Sequence, residues 1–227
     1  MSARSTESNA APGSFRAKWD KYVDSVRYAK HVIFRPFDGF WDLVHEHRGT
    51  LGAAHTFLFL FLLTYILKLM FTNFQFISAP LQYINIYEQC GSLLIPFLII
   101  CLSNWCLSTL FDGKGHLTDI YMALCYALVP FVIIQLPMIV ISNLISFDEA
   151  AYYSVMNAVS IIWCCFLVYV ALLEVHDYSP AKTLIFIVAT IFGALVILFL
   201  ILVFFSLLSD AAAFFISLYR EIAFRLY

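Results

Sequence analysis

Five long apolar runs constrain this chain more than any other feature. Each is about as long as the roughly 20 helical residues needed to cross a bilayer core about 30 Å thick. Because backbone amides in hydrocarbon must be paired within the protein, and because the alternation of a barrel strand is absent, the runs predict helices. We therefore expect an all-α polytopic membrane protein, a bundle of five transmembrane helices. The predicted spans are Leu51–Phe71, Ser92–Phe111, Asp119–Asn143, Ser154–Glu174 and Lys182–Leu208.

The composition excludes other classes of protein. Only 12% of the 227 residues are charged and 63% are hydrophobic, whereas an ordinary soluble domain has about 25% charged residues. The formal net charge is −2, which argues against a nucleic-acid partner because neutralising phosphates requires a basic stripe. We expect a multi-pass protein of the cell membrane, with the lipid bilayer as its first partner.

The positive charges near the spans predict the orientation. The loops 72–91 and 144–153 contain no Lys or Arg, whereas Lys114 and Lys182 lie in or beside the other two loops. The positive-inside rule then places the N-terminus in the cytoplasm, and five spans place the C-terminus on the opposite side. Eight positive charges precede the first span: Arg4, Arg16, Lys18, Lys21, Arg27, Lys30, Arg35 and Arg48.

The sequence on either side of the spans divides into further segments. Residues 1–13 are small and polar and are expected to be disordered. Residues 14–50 predict a cytoplasmic segment that begins with an amphipathic helix lying on the anionic leaflet. The five spans form a domain over 51–208. Residues 209–227 predict a C-terminal amphipathic helix, which either lies on the outer surface or continues the fifth span out of the membrane.

Polar side chains inside the spans allow two interpretations. Asn104, Gln135 and Asn157 are the only candidates for a polar path, and Pro130 and Pro137 interrupt the third span. Broken helices with polar residues mark substrate sites in transporters, but amide side chains also bridge packed helices. No acidic residue lies at the centre of a span, so we favour packing over an ion-coupled carrier. The amine of Lys68 is expected to extend to the nearby membrane interface.

Three polar segments, 37–49, 111–119 and 173–182, are predicted to meet on the cytoplasmic face. Their His and carboxylate side chains could bind a divalent metal. However, His45 and His47 are two residues apart and so point to different sides of a helix, unlike the pair in H-E-x-x-H. We therefore predict that these residues are solvated at the headgroup boundary, with no metal, no cofactor and no catalytic residue.

One stretch resembles a known family. Over 91–145, an apolar span ends in a short Gly-containing turn, and the next span has the form A-x-x-Y-A-x-x-P, here Ala123, Tyr126, Ala127 and Pro130. This pattern resembles the core of the Yip-domain family of five-span membrane proteins. The leader RPFDGFWDLVHEHRG is similar to a bacterial branch of that family, and the likeness extends over about 31–210.

The resemblance implies a non-enzymatic accessory or scaffold subunit of a larger membrane complex. Bacterial relatives suggest an ABC-type sugar importer as the associated complex, so the partners would be importer permeases, other integral membrane proteins or a second copy. Eukaryotic relatives implicate membrane traffic, through Rab-binding regions much longer than this N-terminus. A small-solute transporter or channel is the other alternative. The docking surface implied by the accessory function comprises Trp19, Phe40, Trp41, Asp42, His45, Asp112, His116, His176 and Asp177.

Overall fold

The computed structural model describes residues 15–73, 76, 85–146 and 149–226. The predicted disorder of residues 1–13 lies outside this range. Every regular element in the described residues is an α-helix. The helices are α1 Phe15–Phe34, α2 Pro36–His45, α3 Leu51–Phe71, α4 Ile86–Ser108, α5 Leu117–Ala127, α6 Val129–Ile141, α7 Ala150–His176 and α8 Pro180–Leu226.

Five helical stretches in the described residues are long and apolar enough to cross a membrane. They are α3, α4, α5 with α6, α7 and α8, so the predicted all-α class with five spans is confirmed. The third span is two helices joined at Leu128, where i→i+3 hydrogen bonds replace the α-helical pattern. The missing N–H of Pro130 accounts for this joint, since it cannot bond to the carbonyl four residues earlier.

The tail of the chain belongs to the long helix α8. Residues 209–226 continue α8 without a break. From Leu198 to Ile222 every described residue is exposed. Nearer its start, α8 packs on α4, where the carbonyl and hydroxyl of the buried Thr190 accept from Ser103 and Asn104.

The N-terminal helices are part of the packed core. The side chains of Ala29 and Val32 on α1, and of Phe40 and Leu43 on α2, are buried in the same cluster as residues of α3, α5 and α7. A Cβ on Gly39 would lie 2.7 Å from the Val32 Cα, so only glycine permits this close approach of α1 and α2. The inner side of α1 therefore packs on protein, whereas the sequence predicted a helix resting on the leaflet.

A buried hydroxyl pair fixes α1 to the centre of the bundle. Ser25 Oγ and Tyr126 Oη lie 2.6 Å apart, and the tyrosine hydroxyl also donates to the Ser25 carbonyl at 3.0 Å. The Thr50 amide, at the N-cap of α3, donates to Ser25 Oγ at 2.9 Å. One serine thus links α1, the start of α3 and the end of α5.

We predict that Ser25→Ala lowers the free energy of unfolding by about 1–3 kcal/mol, because it leaves the Thr50 amide without its acceptor in a buried site. Thermal unfolding in detergent micelles measures this loss. Ser154→Ala, at an exposed position of α7, is the matched control and should change stability by less than about 0.5 kcal/mol. Equal effects of the two substitutions would contradict the linking role of Ser25.

Candidate functional site

The end of the bundle that holds α1, α2 and the turns 109–116 and 177–179 is called the N-terminal face below. It unites side chains from all three predicted polar segments. His45 Nε2 on α2 lies 3.6 Å from Asp177 Oδ1, and Lys114 Nζ donates to Asp177 Oδ2 at 2.9 Å. Asp177 therefore bridges α2 and the α4–α5 turn, and its backbone has a φ of 53°.

An exposed tryptophan borders this ion pair. The rings of Trp41 and His45 are stacked, with centroids 4.7 Å apart and an interplanar angle of 14°. Trp41 is 46% exposed. We call Trp41, His45, Lys114 and Asp177 the docking row. Its members come from α2, the α4–α5 turn and the α7–α8 turn, so their relative positions depend on the packed bundle.

Beneath the docking row lies a buried hydrogen-bonded chain centred on His176. The Gly115 amide lies 3.4 Å from His176 Nδ1, and Nε2 lies 2.9 Å from Asn104 Oδ1. Because Nδ1 accepts from an amide, Nε2 carries the proton and donates to Asn104. The Asn104 amide then donates to Thr190 Oγ1 at 3.2 Å. The neutral imidazole thereby joins α7, the α4–α5 turn, α4 and α8.

The glycines of the α4–α5 turn are explained by close packing on that imidazole. A Cβ on Gly115 would lie 2.5 Å from Val175 Cγ1, and one on Gly113 would lie 2.6 Å from the Tyr178 hydroxyl. The Tyr178 and His176 rings are stacked at 5.2 Å. Burial, and then the nearby Asp112 carboxylate, raise the pKa of Tyr178. The backbone of this turn therefore packs directly on the rings of His176 and Tyr178.

Several predicted docking residues do not lie on the surface. Phe40 and His176 are 0% and 1% exposed, so both predicted docking residues lie inside the bundle and present no side chain at its surface. Asp42 is half-buried and accepts from the Tyr28 hydroxyl at 2.7 Å. The remaining predicted residues, Trp19, Asp112 and His116, are exposed.

The three intramembrane amides belong to two separate groups. Asn104 lies near the N-terminal face with His176, whereas Gln135 Nε2 donates to Asn157 Oδ1 at 3.0 Å and to Ser160 Oγ at 2.7 Å. The two groups share no hydrogen-bond partner, so the amides do not form one continuous path. Lys68 Nζ also donates to Asn157 Oδ1, at 2.5 Å.

Lys68, Gln135, Asn157 and Ser160 form what we call the Lys68 cluster, toward the other end of the bundle. The Lys68 amine was expected to reach the membrane interface, but it points to Asn157 and lies 5.7 Å from the centre of the Phe131 ring. The sequence alone concealed this contact, since Lys68 and Asn157 belong to α3 and α7, which are far apart in the chain.

The metal alternative finds no support in the described part of the chain. Within it, no group of three or more His, Cys, Asp and Glu side chains is placed to hold a metal ion. The polar residues of the N-terminal face are instead distributed between the docking row and the His176 chain. What this arrangement offers chemically is a set of fixed hydrogen bonds and one exposed aromatic and charged surface.

The comparison with known families agrees with this architecture. The family model of the Yip1 domain matches residues 30–216. The chain belongs to the Yip1-domain family. The match begins in the second half of α1 and includes α2 to α7 and most of α8, which confirms the family resemblance seen in the sequence. No curated protein and no solved structure matches the chain.

We predict that His176 and Asn104 are energetically coupled. His176→Leu leaves Asn104 Oδ1 buried without its donor and should lower the free energy of unfolding by about 1–3 kcal/mol. Asn104→Leu should cost a similar amount, and the double variant less than the sum, with a coupling energy of about 0.5–3 kcal/mol. Reversible denaturation in mixed micelles measures all three, and strictly additive losses would contradict the contact. His116→Leu is the exposed histidine control on the same face.

Proposed function

We propose that this Yip1-domain protein is a non-enzymatic accessory or scaffold subunit of a larger membrane complex. The observation that carries the proposal is the docking row: an exposed tryptophan held in place by His45 and bordered by the Asp177–Lys114 ion pair. Aromatic anchors surrounded by polar groups dominate the binding energy of protein interfaces. The docking row has this composition.

The docking row is also fixed before any partner binds. Trp41 is held by stacking, and Asp177 is held by contacts to two other segments. Ordering side chains at an interface costs about 0.5–1.5 kcal/mol for each flexible side chain. A surface ordered in advance avoids part of this cost. This favours a binding role for the N-terminal face.

The buried polar groups support a structural rather than a catalytic role. Ser25 bonds to Tyr126 and to Thr50, while His176 bonds to Asn104 and Gly115. A general base or nucleophile must be within reach of a substrate, whereas these side chains are enclosed and their partners belong to the fold. Their hydrogen bonds hold the helices in fixed positions relative to one another.

The positive charges that precede α3 favour a cytoplasmic N-terminal face in the plasma membrane. An ABC-type sugar importer is then the candidate complex, through the resemblance to the bacterial branch. The apolar side chains of α8 are largely exposed, among them Leu184, Ile185, Val188, Phe192 and Leu195. In this proposal they face lipid or the permease helices of the importer.

We predict that Trp41→Ala lowers recovery of the partner at least tenfold, since a buried aromatic anchor contributes about 2 kcal/mol or more at an interface. The tagged protein is purified from native membranes in a mild detergent, and the co-purified subunits are quantified by mass spectrometry. Tyr152→Ala, an exposed aromatic near the start of α7 at the other end of the bundle, is the matched control.

Retention of every stoichiometric subunit by Trp41→Ala would overturn the assignment of the docking row. Point substitutions are needed because deleting residues 14–47 would uncover the core. Val32 and Phe40 lie within the deleted range and are both fully buried. If such a truncation lost a partner, unfolding of the core would explain the loss as well as removal of the docking row would.

A second candidate function, a small-solute transporter or channel, is favoured by the Lys68 cluster. An ionisable residue inside a membrane bundle is costly and commonly functional. Gln135 is fully buried, and its Oε1 is one of the buried side-chain atoms in the described residues that have no hydrogen-bond partner. The cluster thus has a donor in Lys68 and an open acceptor in Gln135, as a polar solute would require.

If the protein transports a solute, Gln135→Leu abolishes uptake without disturbing assembly. Proteoliposomes containing the wild-type protein are expected to swell in a panel of sugars and small organic anions, and the variant is not. Ile133→Ala, at an exposed position of α6, is the control. The absence of swelling with the wild-type protein would remove this second candidate and leave the cluster as packing between α3, α6 and α7.

A further inference from the structure

A wide groove lies between α1 and the segment that joins α2 to α3. Its volume is about 1130 Å³, larger than most small-molecule pockets. On the α1 side, Lys21, Arg27 and Arg35 line it, and Arg48 lines the other side. We call this feature the basic groove. It shares no residue with the docking row.

The charges of the basic groove are unevenly paired. Arg48 Nε donates to Glu46 Oε2 at 2.6 Å, which neutralises one carboxylate of the groove. Four other cations of the groove have no carboxylate oxygen of a described residue within 4.0 Å: Lys21, Arg27, Lys30 and Arg35. Asp24 also lines the groove, but among the described residues these four cations have no ion pair with an acidic side chain.

Tyr28 binds one of the carboxylates that could compete for these cations. Its hydroxyl donates to Asp42 Oδ2 at 2.7 Å. Burial, and then the bond to Asp42, raise the pKa of Tyr28, so the phenol stays protonated and continues to donate. Asp42 is thereby directed toward Tyr28. Arg48 lies over the face of the same ring, 5.5 Å from its centre.

An exposed aromatic residue adjoins the cations. Phe34 lines the groove and is 81% exposed. It is the last residue of α1. Basic side chains beside an exposed apolar residue are typical of surfaces that hold acidic lipids.

We propose that the basic groove binds a phosphate-bearing anion, and that the phosphate is supplied by the headgroup of an acidic phospholipid. Arg27, Lys30 and Arg35 would contact the phosphate oxygens, because guanidinium and ammonium groups form short charge-assisted hydrogen bonds to them. Phe34 would lie against the upper part of the acyl chains. The inference is independent of the proposed scaffold function, since it rests on different residues.

The test uses the full chain in detergent, with native mass spectrometry counting bound lipid. Phosphatidylglycerol should be retained in preference to phosphatidylcholine, because only the former has a net negative charge. The double variant Arg27→Gln/Lys30→Gln should bind phosphatidylglycerol about thirtyfold more weakly, from about fivefold for each cation at a membrane surface. Both residues are exposed, so the variant keeps its fold.

Two further variants identify charge as the cause. Arg27→Lys/Lys30→Arg keeps the charges and should keep the lipid within a few-fold of wild type. Lys182→Gln, a lysine at the start of α8 on the same face and outside the groove, should bind like the wild type. If Arg27→Gln/Lys30→Gln retained phosphatidylglycerol as well as the wild type, the proposal would be overturned.

Inorganic phosphate distinguishes the two sources of the ligand. Displacement of phosphatidylglycerol by millimolar phosphate in the wild-type protein supports recognition of the headgroup phosphate. Binding of phosphate that depends on Arg27 and Lys30, without any preference for phosphatidylglycerol, keeps the anion site but overturns its lipid source. If neither probe responds to the double variant, both parts of the proposal are wrong.

Discussion

The burial of α5 determines where the other helices lie. Every residue from Met122 to Ala127 is buried, so this helix must be surrounded by protein, with α3, α4 and α7 packed around it. Tyr126 brings a hydroxyl into that apolar centre, where an unpaired polar group would cost about 1–3 kcal/mol. Ser25 satisfies it. The N-terminal helix is therefore required by the chemistry of the central span, and α2 follows because it packs on α1 through Gly39 and Val32.

Hydropathy was sufficient to predict the five spans, because a run of about 20 apolar residues has few alternatives to a membrane helix. It could not predict what covers α1, since an apolar stripe at helical spacing suits lipid and protein equally well. Nor could it separate Phe40 from Trp41, two neighbouring aromatics of which one is buried and one exposed. The pairing of His176 with Asn104 depends on α4 and α7 meeting, which nothing in the local sequence specifies.

The two groups of buried polar residues differ in how completely they are satisfied. In the His176 chain, each hydrogen-bonding atom of the imidazole has a partner, and Asn104 has one for its oxygen and one for its nitrogen. The Lys68 cluster leaves Gln135 Oε1 without one. A fully connected network rigidifies the structure, whereas a partly connected one leaves a site for another donor. The His176 chain thus holds the α4–α5 turn against α7 behind the docking row, which suits a surface that others bind.

The positive charges that precede the first span then have more than one consequence. Five of the eight positive charges that precede the first span line the basic groove: Lys21, Arg27, Lys30, Arg35 and Arg48. The same charges favour a cytoplasmic N-terminus. Because the apolar side of α1 is occupied by the bundle, the basic side must face away from the core. A helix lying alone on a membrane would present its apolar side to lipid. In this protein the docking of α1 reverses that arrangement and leaves its groove-lining cations and Phe34 exposed.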